Sequence, residues 1–166
     1  MRKLKVTELN RLTPEAFKES KKIPLIVVLD HVRSLNNVGS VFRTSDAFRV
    51  EAIYLCGITA CPPNAEIHKT ALGAEETVDW EYFKDTPEAV DKLRQEGYTV
   101  YAVEQAEGSV MLDNLQLDKT KKYAIVMGNE VKETVSIPVI MKIGKNYSNI
   151  HSLVNLLKVK IGRAHV

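Results

Sequence analysis

The sequence predicts a single α/β domain, residues 1–166, in which a mostly parallel sheet carries helices on both faces. Segments of strand and helix character alternate along the chain, which favours parallel strands joined by crossover helices. One of them, Ile23–Asp30, is a continuous apolar run typical of a strand buried on both faces. The 166 residues are 45% apolar and 27% charged, a composition typical of one globular unit.

The first half of the chain begins with a helix signal. In "TPEAFKES", Thr13 is suited to the N-cap and Pro14 to the first helical position. Turn residues then separate the apolar segments that follow. The elements predicted after this helix are the strand Ile23–Asp30, the helix Leu35–Phe48, the strand Glu51–Ile58 and a loop marked by Pro62, Pro63 and Asn64.

The second half repeats the alternation of helix and strand. A helix is predicted to start at Thr86 and Pro87 and to stop at Gly97, since glycine commonly follows the last helical turn. Its apolar residues recur at helical spacing and form one face. These residues are Ala89, Val90 and Leu93, and the strands predicted after the helix are Tyr98–Gln105 and Tyr123–Glu130.

Charge and cysteine content exclude several classes of protein. The net charge is only +2, so the chain is not a highly basic protein that coats nucleic acid. Its basic residues form local clusters. These clusters either bind phosphates or lie at the solvent-exposed ends of helices and strands. Cys56 and Cys61, with His68 nearest, do not complete a zinc site, and we expect no metal and no disulfide. No apolar run reaches the length of a membrane span, so we expect a cytoplasmic protein with no membrane partner.

The predicted helix "LNNVGSVFRTSDAF" has an unusual polar side. Asn36, Ser40 and Arg43 share one stripe at helical spacing, while Asn37 and Gly39 lie near the helix N-terminus. Ligands bind at the carboxyl ends of strands in such sheets, and an arginine one turn further along can hold a phosphate. The alternative is that Asn37 only caps the helix and Arg43 only pairs with a surface carboxylate. Apolar residues are expected to pack on the sheet: Val38, Val41, Phe42 and Phe48.

Three segments resemble the SpoU (TrmH-type) RNA 2′-O-ribose methyltransferases of the SPOUT superfamily. "NNVGSVFRTSDAF" resembles the first motif of that family, "KTALGAEETVDW" the segment after it, and "YAIVMGNEV" the second motif, a strand ending in Gly-Asn-Glu. The resemblance covers residues 4–132, in the family's order. Arg49 departs from it, since the family usually has glycine after the phenylalanine.

The resemblance implies a knotted α/β fold, a homodimer, and methyl transfer from S-adenosylmethionine to a ribose 2′-hydroxyl of tRNA or rRNA. It implies that Arg43 is catalytic, holding the adjacent phosphate and helping the hydroxyl lose its proton, and that Asn37 orients that hydroxyl. No metal is needed for this reaction. The residues expected to bind the cofactor are Gly128, Met127, Glu130, Ile137 and Leu153, and those expected to bind RNA are Asn36, Gly39, Ser40 and Arg33.

The C-terminal part departs from the family. Ile137-Pro138 follows Gly128 by only nine positions, too few for the helix that the family places between its second and third motifs. The segment "GKNYSNIHSLVN" matches the third motif only loosely, so residues 133–166 are read as divergent and the knot as incomplete. The last six residues, "IGRAHV", equal the translation of a common sequencing adapter. We therefore expect the gene model to diverge from a genuine methyltransferase after Lys132, with residues 161–166 as an artefact. The alternative is a genuine, divergent C-terminus with a different closing element.

Two other functions are open at this stage. The chain as written is alternatively a non-catalytic RNA-binding relative, or a fragment that has lost its cofactor pocket. A nucleotide-binding Rossmann protein is disfavoured, because neither the G-x-G-x-x-G pattern nor the P-loop pattern follows a predicted strand.

Overall fold

Apolar strand segments lie side by side in one parallel sheet in the computed structural model, which describes residue 2 and residues 12–104, 107–111, 114–128 and 139–141. The strands are β1 (Ile23–Asp30), β2 (Val50–Cys56), β3 (Trp80–Phe83), β4 (Tyr98–Val103), β5 (Val110–Met111), β6 (Lys122–Gly128) and β7 (Val139–Met141). The helices are α1 (Pro14–Glu19), α2 (Leu35–Phe48), α3 (Ala65–Ala71), α4 (Ala74–Thr77) and α5 (Thr86–Gln95).

The strand order of the sheet is β3-β2-β1-β6-β4-β7-β5, and every described pair of neighbouring strands is parallel. Residues of α1 to α4 pack in one buried cluster on one face of the sheet. Residues of α5 pack in a second cluster on the other face. The predicted architecture, a parallel sheet with helices on both faces, is therefore confirmed.

Strand β1 has the predicted bounds and lies in the middle of the sheet. Leu25, Val27 and Leu29 belong to the first cluster, while Ile26 and Val28 belong to the second. Alternate residues of a strand point to opposite faces, so both faces of β1 are apolar and buried. Each such side chain stabilises the fold by about 1.5–3 kcal/mol.

The helix ends follow from local hydrogen bonds. Thr13 caps α1 as predicted, since its hydroxyl accepts from the backbone N–H of Ala16 at 3.2 Å. Helix α5 starts at Thr86, as predicted, and its cap is Asp85, whose carboxylate accepts from the N–H of Glu88 at 3.0 Å. Gly97 follows α5 with φ +84°, as its predicted role as a stop requires.

Several elements differ from the prediction. Strand β2 ends at Cys56, before the predicted Ile58, because Gly57 turns the chain at φ +63°. Strand β4 also ends earlier, at Val103, whereas the last two predicted residues of β6, Asn129 and Glu130, lie outside the described residues. The short elements α3, α4, β3 and β5 were not predicted. The closing segment of the expected knot lies outside the described residues.

Both cysteines are free thiols, as predicted. Burial raises the pKa of the Cys56 thiol to about 12, and burial also raises the pKa of Cys61. A thiol with so high a pKa stays protonated near neutral pH and is a poor nucleophile. Among the helices that the structure describes, none has the length and apolar character needed to cross a membrane.

Candidate active site

Helix α2 begins at a serine cap immediately after the carboxyl end of β1. The hydroxyl of Ser34 accepts a hydrogen bond from the N–H of Asn37 at 3.3 Å, so Ser34 and not Asn37 caps the helix. The alternative in which Asn37 serves only as a cap is therefore wrong. Its side chain is exposed, in the first turn of the helix.

The two sides of α2 differ as the sequence predicted. Asn36, Asn37, Ser40 and Arg43 are exposed to solvent. The opposite side packs on the sheet and on α3 and α4, and it bears almost all the apolar side chains of the helix. The buried residues of α2 are Val38, Gly39, Val41, Phe42, Thr44 and Ser45.

Arg43 presents an uncompensated positive charge on this helix. Its side chain is exposed, and it forms no hydrogen bond or ion pair with any residue that the structure describes. The alternative in which Arg43 only pairs with a surface carboxylate finds no partner in this part of the chain. Arg33, in the connection before α2, is likewise exposed and unpaired among the described residues. Two guanidinium groups are thus available to phosphates.

Gly39 does not have the role that the sequence suggested. It is buried between α2 and α3, and a Cβ there would overlap the carbonyl oxygen of Ile67 and the hydroxyl of Thr70. The glycine allows two helix backbones to approach closely. We therefore correct the predicted RNA contact at Gly39 to a packing role.

Ser40 uses its hydroxyl inside the helix. The Ser40 hydroxyl donates to the carbonyl oxygen of Asn36 at 2.8 Å, and the Thr70 hydroxyl donates to the same oxygen at 3.0 Å. The Ser40 oxygen keeps its capacity to accept a hydrogen bond. The Asn36 side chain stays exposed beside it.

The carboxyl ends of β1 and β6 form the switch point of the sheet. From β1 the chain continues through β2 to β3, at one edge of the sheet. The next strand, β4, lies on the other side of β1, and β6 lies between β1 and β4. The crevice outside such a point is where open α/β sheets bind ligands. Gly128 ends β6 there, exposed and in register with Asp30. Met127, the residue before it, is half-buried against the first cluster.

The structure gives a second reason for a glycine at position 128. A Cβ at this position would overlap the carbonyl oxygen of Asp30 and lie 2.8 Å from its carbonyl carbon. The close approach to β1 alone therefore requires glycine, whatever binds nearby.

A network at the end of β1 was missed by the sequence analysis. Asp30 is buried, and its Oδ1 accepts from the hydroxyl of Thr86 and contacts Nδ1 of His31 at 2.7 Å. The hydroxyl of Thr59 donates to the carbonyl oxygen of Leu29 at 3.1 Å and accepts from Val32 N–H at 2.9 Å. These bonds hold the β1–α2 connection rigidly. Thr86 lies 56 positions beyond Asp30, so only the fold brings them together.

The structure brings only some of the predicted residues together. Asn36 and Asn37 lie in the first turn of α2, near the carboxyl edge of the sheet. The helix runs back toward the amino end of β2, and at 1.5 Å per residue Arg43 lies about 10 Å further along. Arg43 and Gly128 therefore do not share one edge within one chain. The predicted cofactor residues Glu130, Ile137 and Leu153 lie outside the described residues.

The described residues contain no group of three or more histidine, cysteine, aspartate or glutamate side chains that could hold a metal ion. The closest pairs serve local structure instead. His68 Nδ1 contacts Glu75 Oε1 at 2.5 Å, and the other oxygen of Glu75 accepts from the N–H of Gly73 at 3.0 Å. This pair joins α3 to α4 on the exposed side of the molecule.

Comparison with known proteins assigns most of the chain to one family. The family model described as the SpoU rRNA Methylase family matches residues 24–140. A 23S rRNA (guanosine-2′-O-)-methyltransferase from Pseudomonas aeruginosa is 30% identical over 118 residues. That alignment covers 71% of this chain and 46% of the relative, so the chain spans about half the length of the curated relatives it matches.

Solved structures show the same fold. An AdoMet-bound rRNA methyltransferase from Sinorhizobium meliloti superposes with a TM-score of 0.67 at 21% identity, covering 89% of this chain and 58% of that one. A TrmH/SpoU tRNA-modifying enzyme from A. aeolicus superposes with a TM-score of 0.64 at 19% identity, covering 86% and 74%. At these identities the superpositions establish the fold alone. The α/β methyltransferase architecture predicted from the motifs is confirmed.

Proposed function

The chain belongs to the SpoU rRNA Methylase family, and we propose that it transfers a methyl group from S-adenosylmethionine to a ribose 2′-hydroxyl of rRNA or tRNA. The relative from Pseudomonas aeruginosa is named for 2′-O-methylation of guanosine in 23S rRNA, and the solved neighbour from Sinorhizobium meliloti carries AdoMet. Other relatives are named as tRNA/rRNA methyltransferases. The substrate is therefore proposed to be either rRNA or tRNA.

The observation that carries the proposal is the free guanidinium of Arg43 on the exposed stripe of α2. A ribose hydroxyl has a pKa far above neutral, so it attacks a methyl group only when positive charge or a base stabilises its loss of a proton. Arg43 is exposed and unpaired among the described residues, which supports a role in holding the phosphate beside the target ribose. The exposed side chain of Asn37, six residues before Arg43 on α2, is proposed to orient the hydroxyl.

The cofactor supplies an electrophilic methyl group on a sulfonium centre. Gly128 and Met127, at the switch point, would hold it against the end of β6, together with Glu130, Ile137 and Leu153 of the later segment. The chain's own part in the reaction is to position the hydroxyl, to hold the phosphate and to exclude water. Asn36, Ser40 and Arg33 are proposed to contact the RNA around the target.

We further propose a cytoplasmic homodimer. Arg43 lies about 10 Å along α2 from the edge that carries Gly128, a separation that follows from the rise of the helix. A second copy of the chain that packs near this edge would bring its own Arg43 to the cofactor of the first. The dimer would therefore bring Arg43 of one copy to the cofactor-binding edge of the other, which one chain alone does not do.

Two measurements on this chain test the proposal. Isothermal titration calorimetry with S-adenosylmethionine is expected to show binding. Incubation of the chain with labelled S-adenosylmethionine and total RNA from a strain that lacks the gene is expected to label ribose 2′-hydroxyls. RNA binding without cofactor binding or methyl transfer would contradict the proposal and identify a non-catalytic RNA-binding relative.

Subunit complementation tests the dimer directly. Arg43→Ala and Glu130→Ala chains are each expected to lose activity alone. If active sites form between two subunits, co-refolded mixtures regain activity, because each hybrid dimer contains one intact site. Mixtures as inactive as the separate variants would contradict a shared site.

A further inference from the structure

A second group of exposed side chains lies at the carboxyl side of the sheet, on the side away from β6. His31 follows β1, Ile58 follows β2, and Trp80 and Tyr82 belong to the edge strand β3. Ile58 is 57%, Tyr82 49% and Trp80 37% exposed, so three large side chains meet solvent in this region. We call these four residues the edge surface. None of them carries a role in the proposed methyl transfer.

One glycine joins the two rings nearest the strand ends. The Tyr82 hydroxyl donates to the carbonyl oxygen of Gly57 at 3.0 Å. The His31 ring lies against the same residue, since a Cβ on Gly57 would lie only 2.6 Å and 2.8 Å from two of its carbons. Gly57 also has φ +63°, which favours glycine. His31 and Tyr82 therefore both contact Gly57.

Two of the aromatic side chains of β3, Trp80 and Tyr82, share one face of the sheet. Trp80 and Tyr82 are in register with Ile53 and Leu55 of β2, whose side chains pack in the first cluster. Alternate residues of β3 point the other way, and Phe83 accordingly packs in the second cluster. Trp80 and Tyr82 stay exposed on the face that α2 to α4 cover elsewhere. The side chains of Trp80 and Tyr82 are thus exposed next to each other, and their Cα atoms are about 7 Å apart along the strand.

The exposed charges around the edge surface include Asp79 and Glu81, which flank Trp80, but Glu81 is paired with Lys92 at 2.5 Å, and two cations remain available to a phosphate. Lys84 and Arg33 are exposed and form no ion pair or hydrogen bond within the described part of the chain. The carboxylate of Asp30 is buried and bonded to His31 and Thr86. Asp85 is exposed, but one of its oxygens is engaged in capping α5. Free cations beside exposed rings are the combination that binds single-stranded nucleic acid.

We propose that the edge surface binds an unpaired nucleotide of the RNA substrate, with the base stacked on Tyr82 and His31. Lys84 and Arg33 contact the neighbouring phosphates. Single-stranded RNA offers base faces to aromatic rings, whereas duplex RNA hides them in its own stack. The inference rests on the proposed function, because it takes the RNA substrate as the ligand. It adds that the substrate presents an unpaired base beside the methylation site.

The single tryptophan of the chain provides the signal for the test. Trp80 lies two residues before Tyr82 on the same face of β3, and it is the only tryptophan. Its fluorescence is expected to be quenched by a short unstructured RNA oligonucleotide, and much less by a duplex of the same length. The dissociation constant for the single strand is expected to rise about tenfold in Tyr82→Leu and in His31→Asn. Asparagine is chosen because it tolerates the left-handed backbone of residue 31, φ +50°.

Matched variants separate stacking from other effects. Tyr82→Phe keeps the ring and loses only the bond to Gly57, so its dissociation constant is expected to stay within about twofold of the unmodified chain. Val110→Ala removes an exposed apolar side chain from β5, at the opposite edge of the sheet, and is expected to change nothing. Circular dichroism and thermal unfolding check that each variant is folded.

Three results would overturn the inference. The first is an unchanged dissociation constant in both folded Tyr82→Leu and His31→Asn, and the second is equal binding of duplex and single strand. The third is a change of self-association in sedimentation with RNA binding intact, which would identify a protein-binding surface. Methyl transfer is measured separately. A chain that binds single strands through Tyr82 but transfers no methyl group would contradict only the proposed function.

Discussion

The two sides of the carboxyl edge are built differently. At the switch point, Gly128 and Asp30 approach so closely that no side chain fits, and the Asp30 carboxylate is buried and bonded to Thr86 and His31. At the edge surface, the rings of Trp80 and Tyr82 are exposed. The first arrangement fixes backbone atoms, as a seat for a small ligand requires. The second leaves side chains open to a larger partner. Substitutions should therefore change stability on one side and binding on the other.

The largest effect on stability is expected at the switch point. Gly128→Ala would place a Cβ on the carbonyl oxygen of Asp30, so β1 and β6 must separate locally. We expect a loss of about 2 kcal/mol or more in the free energy of unfolding, measured by urea denaturation. Ser40→Ala, on the exposed side of α2, is the control and is expected to stay within about 0.5 kcal/mol. A fully stable Gly128→Ala chain would contradict the close contact.

A smaller effect is expected from the buried network. Thr86→Val keeps the shape of the side chain but removes the hydroxyl that donates to Asp30, which should cost about 1–2 kcal/mol. Thr120→Val is the matched control, since the Thr120 hydroxyl donates to Asp118 at 2.7 Å in an exposed position. Its cost is expected to be within about 0.5 kcal/mol, because water replaces the lost donor. Equal unfolding midpoints for the two variants would show that burial at Asp30 adds nothing.

The smallest effect on stability is expected at the edge surface. Tyr82→Phe removes an exposed hydrogen bond to Gly57 and should change the free energy of unfolding by less than about 0.5 kcal/mol. The same denaturation series measures it. A loss comparable to that of Thr86→Val would mean that the edge surface is as rigidly built as the switch point, and the contrast between them would fail.

Sequence patterns predicted the elements that depend mainly on residues close together in the chain. The bounds of β1 were predicted correctly because an unbroken apolar run leaves few alternatives for a strand at the centre of a sheet. The two sides of α2 followed from helical spacing. The edge strand β3 was missed because it has only four residues and three of them are exposed, so no apolar run marks it. Its place in the sheet comes from pairing with β2.

In the candidate site, too, sequence motifs identified single residues but did not predict contacts between distant parts of the chain. The residue types at Arg43, Asn37 and Gly128 were noted from motifs, and the structure places Arg43 and Asn37 on the exposed side of α2. Gly39 was assigned to RNA because glycine near a helix N-terminus suggests close approach of a ligand, whereas the approaching group is α3. The network of Asp30, His31 and Thr86 depends on a contact across 56 positions, and no local pattern reports such a contact.

The central claim is that the guanidinium of Arg43, unpaired among the described residues, assists methyl transfer to RNA. The direct test is the rate of methyl incorporation into RNA by Arg43→Ala, with Arg94→Ala as the control, because Arg94 is an arginine on α5, on the other face of the sheet. We expect a loss of about 100-fold or more for Arg43→Ala and full activity for Arg94→Ala. Cofactor binding by Arg43→Ala should remain. Unchanged methyl incorporation by Arg43→Ala would contradict the account.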